Sequence, residues 1–236
     1  MEVLTRPRTS EKKEEMEGRK VVLLLSGGVD STTLLYDLVV KGYDVNPIAF
    51  IYGQKHKIEV SYALASCAKL GPPLEVVKLD ALGNLAPSAL TRVAMEVPKV
   101  GYDKESMKQT VVPNRNMVLI ALATSYAIGI KADKVFYAAH GGDHTLYPDC
   151  RPAFLIALAK AIKLCDFTQV DLDAPYLYWS KEDIIRRGID LKVDYSLAWS
   201  CYEGGIKPCQ KCGTCIERAE AFRKVGVSDP LLYKED

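Results

Sequence analysis

An α/β protein with a parallel five-stranded sheet and helices on both faces is the fold this sequence predicts. Three observations predict it. Short apolar runs alternate with longer segments whose apolar residues recur at helical spacing, as βαβ units require. The first of these runs, Val21-Val22-Leu23-Leu24-Leu25, is continuously apolar, like a strand buried on both faces. The chain has 236 residues, 48% of them hydrophobic and 26% charged, which suits one large soluble domain with at most a small appendage.

The elements follow in order. Residues 1–20 form a charged arm: Ser10 to Lys20 carry mixed charges around one methionine, too little apolar surface to bury. Val21–Leu25 is the first strand. Ser31–Lys41 is the first helix, with Leu34, Leu35, Leu38 and Val39 on one face and Gly42 ending it. Val45–Ile51 is a second strand. Lys57–Leu70 is a helix closed by Gly71 and Pro72, and Leu74–Leu79 is a third strand. Gly83–Val112 shows no period and reads as a long insertion over the active face. Asn116–Ile130 is a long apolar helix, Lys134–Ala139 the fourth strand, Pro152–Leu164 a helix and Thr168–Leu172 the fifth strand. Ser180–Arg187 is an amphipathic helix with Ser180 as N-cap and Asp183 at N3. The main α/β domain is therefore expected over 21–195. A four-cysteine segment and a helix should occupy 196–236.

A formal charge of +1 gives no electrostatic reason to bind nucleic acid or an anionic membrane. Apolar runs stop far short of a membrane span, and Met1 to Arg8 lack the apolar core of a signal peptide. The expectation is a cytoplasmic protein with reduced thiols, where clustered cysteines bind metal more often than they pair.

In parallel sheets ligands bind beyond the carboxyl ends of the strands, so the loops after the strands carry the information. The first loop is Ser26-Gly27-Gly28-Val29-Asp30-Ser31. Its glycines let backbone approach a ligand, and the new helix offers free N–H groups to an anion, phosphate above all. No lysine follows the glycines, so it is not a Walker A loop. Hydroxyls from Ser26, Ser31 and Thr32 suit phosphate, and the Asp30 carboxylate suits Mg²⁺. A plain strand–helix turn with a Ser/Asp cap is the alternative.

Tyr52-Gly53-Gln54-Lys55-His56 places donors after the second strand. In Val112-Pro113-Asn114-Arg115-Asn116, Arg115 stands at a helix start, the wrong sign for the dipole and the right one for a phosphate or carboxylate. The run from His140 to Arg151 is dense in functional groups. His140 and His144 have the H-x-x-x-H spacing of a helical metal pair, but the intervening glycines argue against a helix. A substrate loop using Asp143, Tyr147, Asp149 and Arg151 fits better: carboxylates accept from a guanine-like edge, and a tyrosine face stacks. Cys201, Cys209, Cys212 and Cys215 are the inventory of a structural Zn²⁺ site with no open position for water. A redox C-x-x-C pair is the rival reading, without the βαβ context that such pairs have.

The S-G-G-V-D-S loop resembles the PP-loop of the N-type ATP pyrophosphatases. With Y-G-Q-K-H, V-P-N-R-N, D-x-x-x-Y-P-D-C-R and W-S-C-Y-x-x-G plus C-x-x-C-x-x-C, the chain from Val21 to Val225 resembles the QueC family of 7-cyano-7-deazaguanine (preQ0) synthases. The resemblance implies a fold of the HUP/PP-loop type. It also implies ATP-dependent conversion of 7-carboxy-7-deazaguanine and ammonia to the nitrile through adenylated acyl and amide intermediates. The pathway would be 7-deazaguanine nucleoside biosynthesis in tRNA. The H-G-G-D-H form of the fourth loop is similar to archaeal members and points to archaeosine over queuosine.

The implied ATP site spans Leu24, Leu25, Ser26, Gly27, Gly28, Val29, Asp30, Ser31, Thr32, Thr33 and Leu34, with Mg²⁺ carried by ATP. Asp30, Ser31 and Arg115 are the implied catalytic residues. Gln54, His56, Asp143, Tyr147, Asp149, Arg151 and Lys181 are the implied substrate contacts, with Arg115 or Lys181 steadying phosphates or the substrate carboxylate. Once neutral ammonia arrives, no general base is assigned. No membrane or stable nucleic-acid partner is expected, and a homodimer stays open. Two other readings also stay open: a PP-loop tRNA-modifying enzyme that adenylates a base, and a zinc-ribbon nucleic-acid-binding protein with an inactive PP-loop. Near-neutral charge and the lack of a basic cluster count against both.

Overall fold

A computed structural model describes residues 16–55, 57–91, 95, 97 and 108–232. Its centre is the five-stranded parallel sheet, in the order β3-β2-β1-β4-β5. The strands are β1 (Lys20–Leu24), β2 (Asp44–Ile51), β3 (Glu75–Lys78), β4 (Lys134–Phe136) and β5 (Asp171–Asp173). The helices are α1 (Val29–Val40), α2 (Ile58–Leu70), α3 (Asp80–Leu85), α4 (Arg115–Gly129), α5 (Pro152–Ile162), α6 (Lys181–Asp190) and α7 (Gly213–Val225).

The continuous apolar run of β1 has the double burial that it implies. Side chains alternate across a strand, so Val21, Leu23 and Leu25 pack with α1, α6 and α7, while Val22 and Leu24 pack with α4 and α5. After β3 the chain returns across the sheet to lay β4 beside β1. That reversal opens a crevice at the carboxyl ends of β1 and β4, where doubly wound sheets bind their ligands.

Several boundaries differ from expectation. α1 begins at Val29 and not Ser31, because Gly28 already has cap geometry and accepts from the Thr32 N–H. β4 is shorter than predicted, since Tyr137 onward turns into the loop, and β5 lies at Asp171–Asp173, later than Thr168–Leu172. The expected insertion from Gly83 opens inside a helix, α3. Gly83 there meets the end of β2 so closely that a Cβ would lie 2.3 Å from the Tyr52 carbonyl. Residues 92–94, 96 and 98–107 of the insertion, and His56, lie outside the described residues. The capping box at α6 is present as predicted, with Ser180 accepting from the Asp183 N–H and Asp183 from the Ser180 N–H.

The C-terminal segment is held by a buried ion pair. Arg218 on α7 donates to both oxygens of Asp229 at 2.6 and 2.7 Å and to the Ala198 and Tyr195 carbonyls. Both side chains are at most 5% exposed. Leaving one partner of such a pair uncompensated costs about 3–5 kcal/mol. Asp229→Asn should therefore lower the urea midpoint by that equivalent. A midpoint unchanged from the parent protein would contradict this account of the tether.

Candidate active site and metal centre

The loop after β1 is closed by its own hydroxyls. Ser26 Oγ lies 3.0 Å from Ser31 Oγ and accepts from the Gly28 N–H, and Ser31 Oγ accepts from the Ser26 N–H. Gly27 adopts φ +84°, and its back is against α2: a Cβ there would come within 2.2 Å of the Glu59 carbonyl. Only glycine fits. The N-cap of α1 is Gly28, which has no side chain to cap the helix, and the start of α1 lines the crevice with its dipole.

Across the opening stands α6, whose first residue is Lys181. Its ammonium donates to both oxygens of Asp30, at 2.7 and 2.9 Å, and lies 3.4 Å from Glu217 of α7. Burial would lower this ammonium, but Asp30, Glu217 and Asp143 outweigh it and keep the charge in place. Burial would equally raise Asp30, yet Lys181 and then His140 hold its carboxyl below the usual range. His140 is fully buried. Its Nδ1 accepts from the Gly142 N–H, so the proton sits on Nε2, 3.5 Å from Asp143 and 3.9 Å from Asp30.

The other wall is aromatic. Arg115 donates to the Tyr52 hydroxyl at 3.4 Å and to Asn116 Oδ1. The hydroxyls of Tyr137, Tyr147 and Tyr202 are also within electrostatic reach of its guanidinium. Tyr147 bridges Thr110 and Tyr202, each at 3.2 Å, and Tyr137 touches the Cys150 thiol. Burial raises both the Tyr137 phenol and the Cys150 thiol, so these groups stay neutral. The loop after β1, the lysine cluster and this chamber form one cleft of about 240 Å³.

Of the residues singled out from sequence, Leu24, Leu25, Ser26, Gly28, Val29, Asp30 and Ser31 line the cleft. So do Gln54, Arg115, Asp143, Tyr147 and Lys181. Others do not. Gly27 lies behind the loop and accepts from the Trp199 N–H. Thr32, Thr33 and Leu34 are buried in α1, where Thr33 bonds the Val29 carbonyl and the Tyr195 hydroxyl. Asp149 accepts from the Asn116 N–H at 3.2 Å, capping α4 from outside, and Arg151 is exposed and donates to the His144 carbonyl. Gln54 reaches the cleft, but its amide is spent on the Tyr52 N–H and Phe50 carbonyl. Sequence reasoning missed His140 as a buried organiser, passed over Tyr52 and Tyr202 within motifs it quoted, and missed Glu59, Tyr137 and Glu217.

The four cysteines converge. The Sγ atoms of Cys201, Cys209, Cys212 and Cys215 all lie within 4.8 Å of one another. Four sulfurs at tetrahedral zinc bond lengths stand about 3.8 Å apart, so the cluster fits a single ion with little adjustment. Backbone N–H groups point at the sulfurs as they do at thiolates: Cys209 donates to Cys201, and Lys211 and Cys212 donate to Cys209. Cys212 caps α7 and Cys215 lies in its first turn. The same helix sends Thr214, Glu217 and Arg218 into the cleft wall.

Sheet order, loop geometry and the cysteine centre define the class: an α/β protein of the PP-loop type. The profile of the family described as "Queuosine biosynthesis protein QueC" matches residues 20–226. The chain is 58% identical over 215 residues to the 7-cyano-7-deazaguanine synthase of Methanoregula boonei, covering 91% of this chain and 99% of the relative. It is 56% identical over 215 residues to that of Caldicellulosiruptor saccharolyticus, covering 91% and 96%. Among solved structures it is similar to the NMN synthetase from Francisella tularensis, with 14% identity and a TM-score of 0.48 over 91% of this chain and 79% of that one. The chain belongs to the QueC family.

Proposed function

We infer that the protein is an ATP-dependent ligase that makes 7-cyano-7-deazaguanine, the product in its relatives' names, and that it does so from 7-carboxy-7-deazaguanine and ammonia. One observation carries the reading onto this chain's own residues: a tyrosine-lined chamber around Arg115 opens into the same cleft as the phosphate loop. A flat heteroaromatic acid needs stacking faces and a cation for its carboxylate, next to a triphosphate.

The chemistry sets what each group has to do. A carboxylate repels nucleophiles and leaves badly. Adenylation removes the charge and makes AMP the leaving group, and the resulting amide loses its oxygen by the same route. Ser26, Ser31 and the start of α1 hold the departing pyrophosphate by hydroxyl and N–H donation. Lys181, released from Asp30, supplies a cation to the phosphates. Mg²⁺ bound with ATP would neutralise triphosphate charge, and Asp30 is the carboxylate suited to hold it. Zinc is the ion that four thiolates and no open position select, in a structural role. At the level of organisation, 21–195 carries the chemistry and 196–236 braces it. No described helix is long and apolar enough to cross a membrane, and reduced clustered thiols fit a cytoplasmic setting.

Arg115→Gln separates the two stages. Only the first substrate bears a carboxylate, so its KM should rise about ten- to a hundredfold, while the KM for the amide should change little. Steady-state kinetics with each substrate reads this directly. Equal weakening of both would move Arg115 from the carboxylate to the phosphates.

A further inference from the structure

On the reading above, Mg-ATP draws Asp30 away from Lys181, and the ammonium then needs another partner to stay in the cleft. A lysine stem is long and flexible, and its charge acts best on a reacting phosphate when it is already held there. Lys181 is the first residue of α6, and the capping box at Ser180 and Asp183 fixes the backbone that carries it. The ammonium itself is placed by carboxylates, with Asp30 at 2.7 and 2.9 Å and Glu217 at 3.4 Å.

Glu217 comes to the site from another element. On α7, Thr214, Glu217 and Arg218 stand three and four residues apart on one helical face, and all three line the cleft. The start of that helix is placed by the cysteine centre: Cys212 is its N-cap, and Cys215 lies two residues before Glu217. The side chains of Lys181 and Glu217 are 12% and 20% exposed, so salt and water screen the pair weakly. A Cβ at Gly142 would meet the His140 ring and come 3.3 Å from Glu217 Oε1, so the glycine leaves room beside this carboxylate.

Docking of α7 has other supports. Ile184 and Ile185 of α6 share one apolar cluster with Ala221 and Phe222 of α7, Lys224 pairs with Glu182 at 2.8 Å, and Arg218 is anchored to Asp229. We propose that Glu217 is the positioning residue that retains Lys181 at the phosphate loop once Asp30 has turned to the cation bound with ATP. Its carboxylate stands at 3.4 Å, beyond a short hydrogen bond, so the ammonium can swing toward the phosphates without breaking a strong contact. The cysteine centre, through α7, thereby sets where a cation of the cleft sits.

The test assays variants of the whole chain with 7-carboxy-7-deazaguanine, ammonia and Mg-ATP. Glu217→Gln keeps the shape and loses the charge. Its kcat should fall about tenfold, with the KM for ATP within about threefold of the parent and the metal content unchanged. Near-parental kcat overturns the proposal. So does loss of metal in step with turnover, which would make Glu217 a brace of α7. Lys181→Met asks whether the two side chains act as a unit: adding Glu217→Gln to it should change kcat by less than about twofold. A further fall as large as in the parent background overturns the proposal, because a role independent of Lys181 adds. Where Lys181→Met is too slow to measure, Glu217→Asp decides. It restores the charge on a shorter stem and should turn over at least about threefold faster than Glu217→Gln. A rate no faster overturns the proposal. A parent protein that makes no nitrile overturns the proposed function instead.

Discussion

Asp30→Ala is expected to cut turnover by about a thousandfold or more while leaving fold and metal content intact. Asp30 is the only carboxylate in the first turn of α1, at the mouth of the phosphate loop, and it fixes Lys181 through both oxygens. Removing it deletes the group suited to the nucleotide's cation and frees Lys181 to sit beside Glu217 before ATP arrives. Losses of this size follow when charge stabilisation at the reacting phosphate disappears. The fold should survive, because Lys181 keeps Glu217 as a partner and the Asp30 side chain is 23% exposed. Steady-state rates, metal analysis and a thermal melt on one preparation measure all three. A variant turning over at near-parental rates would show that Asp30 takes no part in handling ATP.

Cys212→Ser should lower metal content, thermal stability and activity together. Cys212 is one of four clustered cysteines and occupies the N-cap position of α7, so an ion bound there would fasten the helix start to Cys201. Structural zinc contributes on the order of 10 kcal/mol in small metal-dependent domains. Here part of α7 remains anchored through Ala221 and Phe222, the latter packed edge-on against Tyr195 at 5.3 Å. The expected damage is therefore local: the first turn loosens and Glu217 leaves Lys181. Activity should fall even where the sheet stays folded. An intact, equally stable, metal-free variant would contradict a structural ion.

The sheet was legible because β1 is apolar on both faces and each later strand is closed by glycine, proline or a polar loop. The turn from β1 into α1 was legible because its residues are contiguous. The rest of the cleft was not, because it is assembled from distant segments. Glu59 reads as an ordinary acidic residue in a first helical turn, a favourable dipole partner. Glu217 reads as a solvated helix position until α7 is laid across α6. His140 drew attention as half of an H-x-x-x-H pair, when its actual partner is a backbone N–H two residues away. Asp149 and Arg151 stand apart from the cleft lining, and the structure gives their polar groups backbone partners, at the start of α4 and in the turn at His144. Side chains in a polar loop readily bond nearby backbone, and sequence spacing does not show which of them do so.

The measurement closest to the central claim is mass detection after incubating the protein with 7-carboxy-7-deazaguanine, isotopically labelled ammonium and Mg-ATP. The account predicts 7-cyano-7-deazaguanine with the label in its nitrile nitrogen, AMP and pyrophosphate, and a transient labelled amide. Unchanged acid with intact ATP, from folded and metal-replete protein, would contradict it.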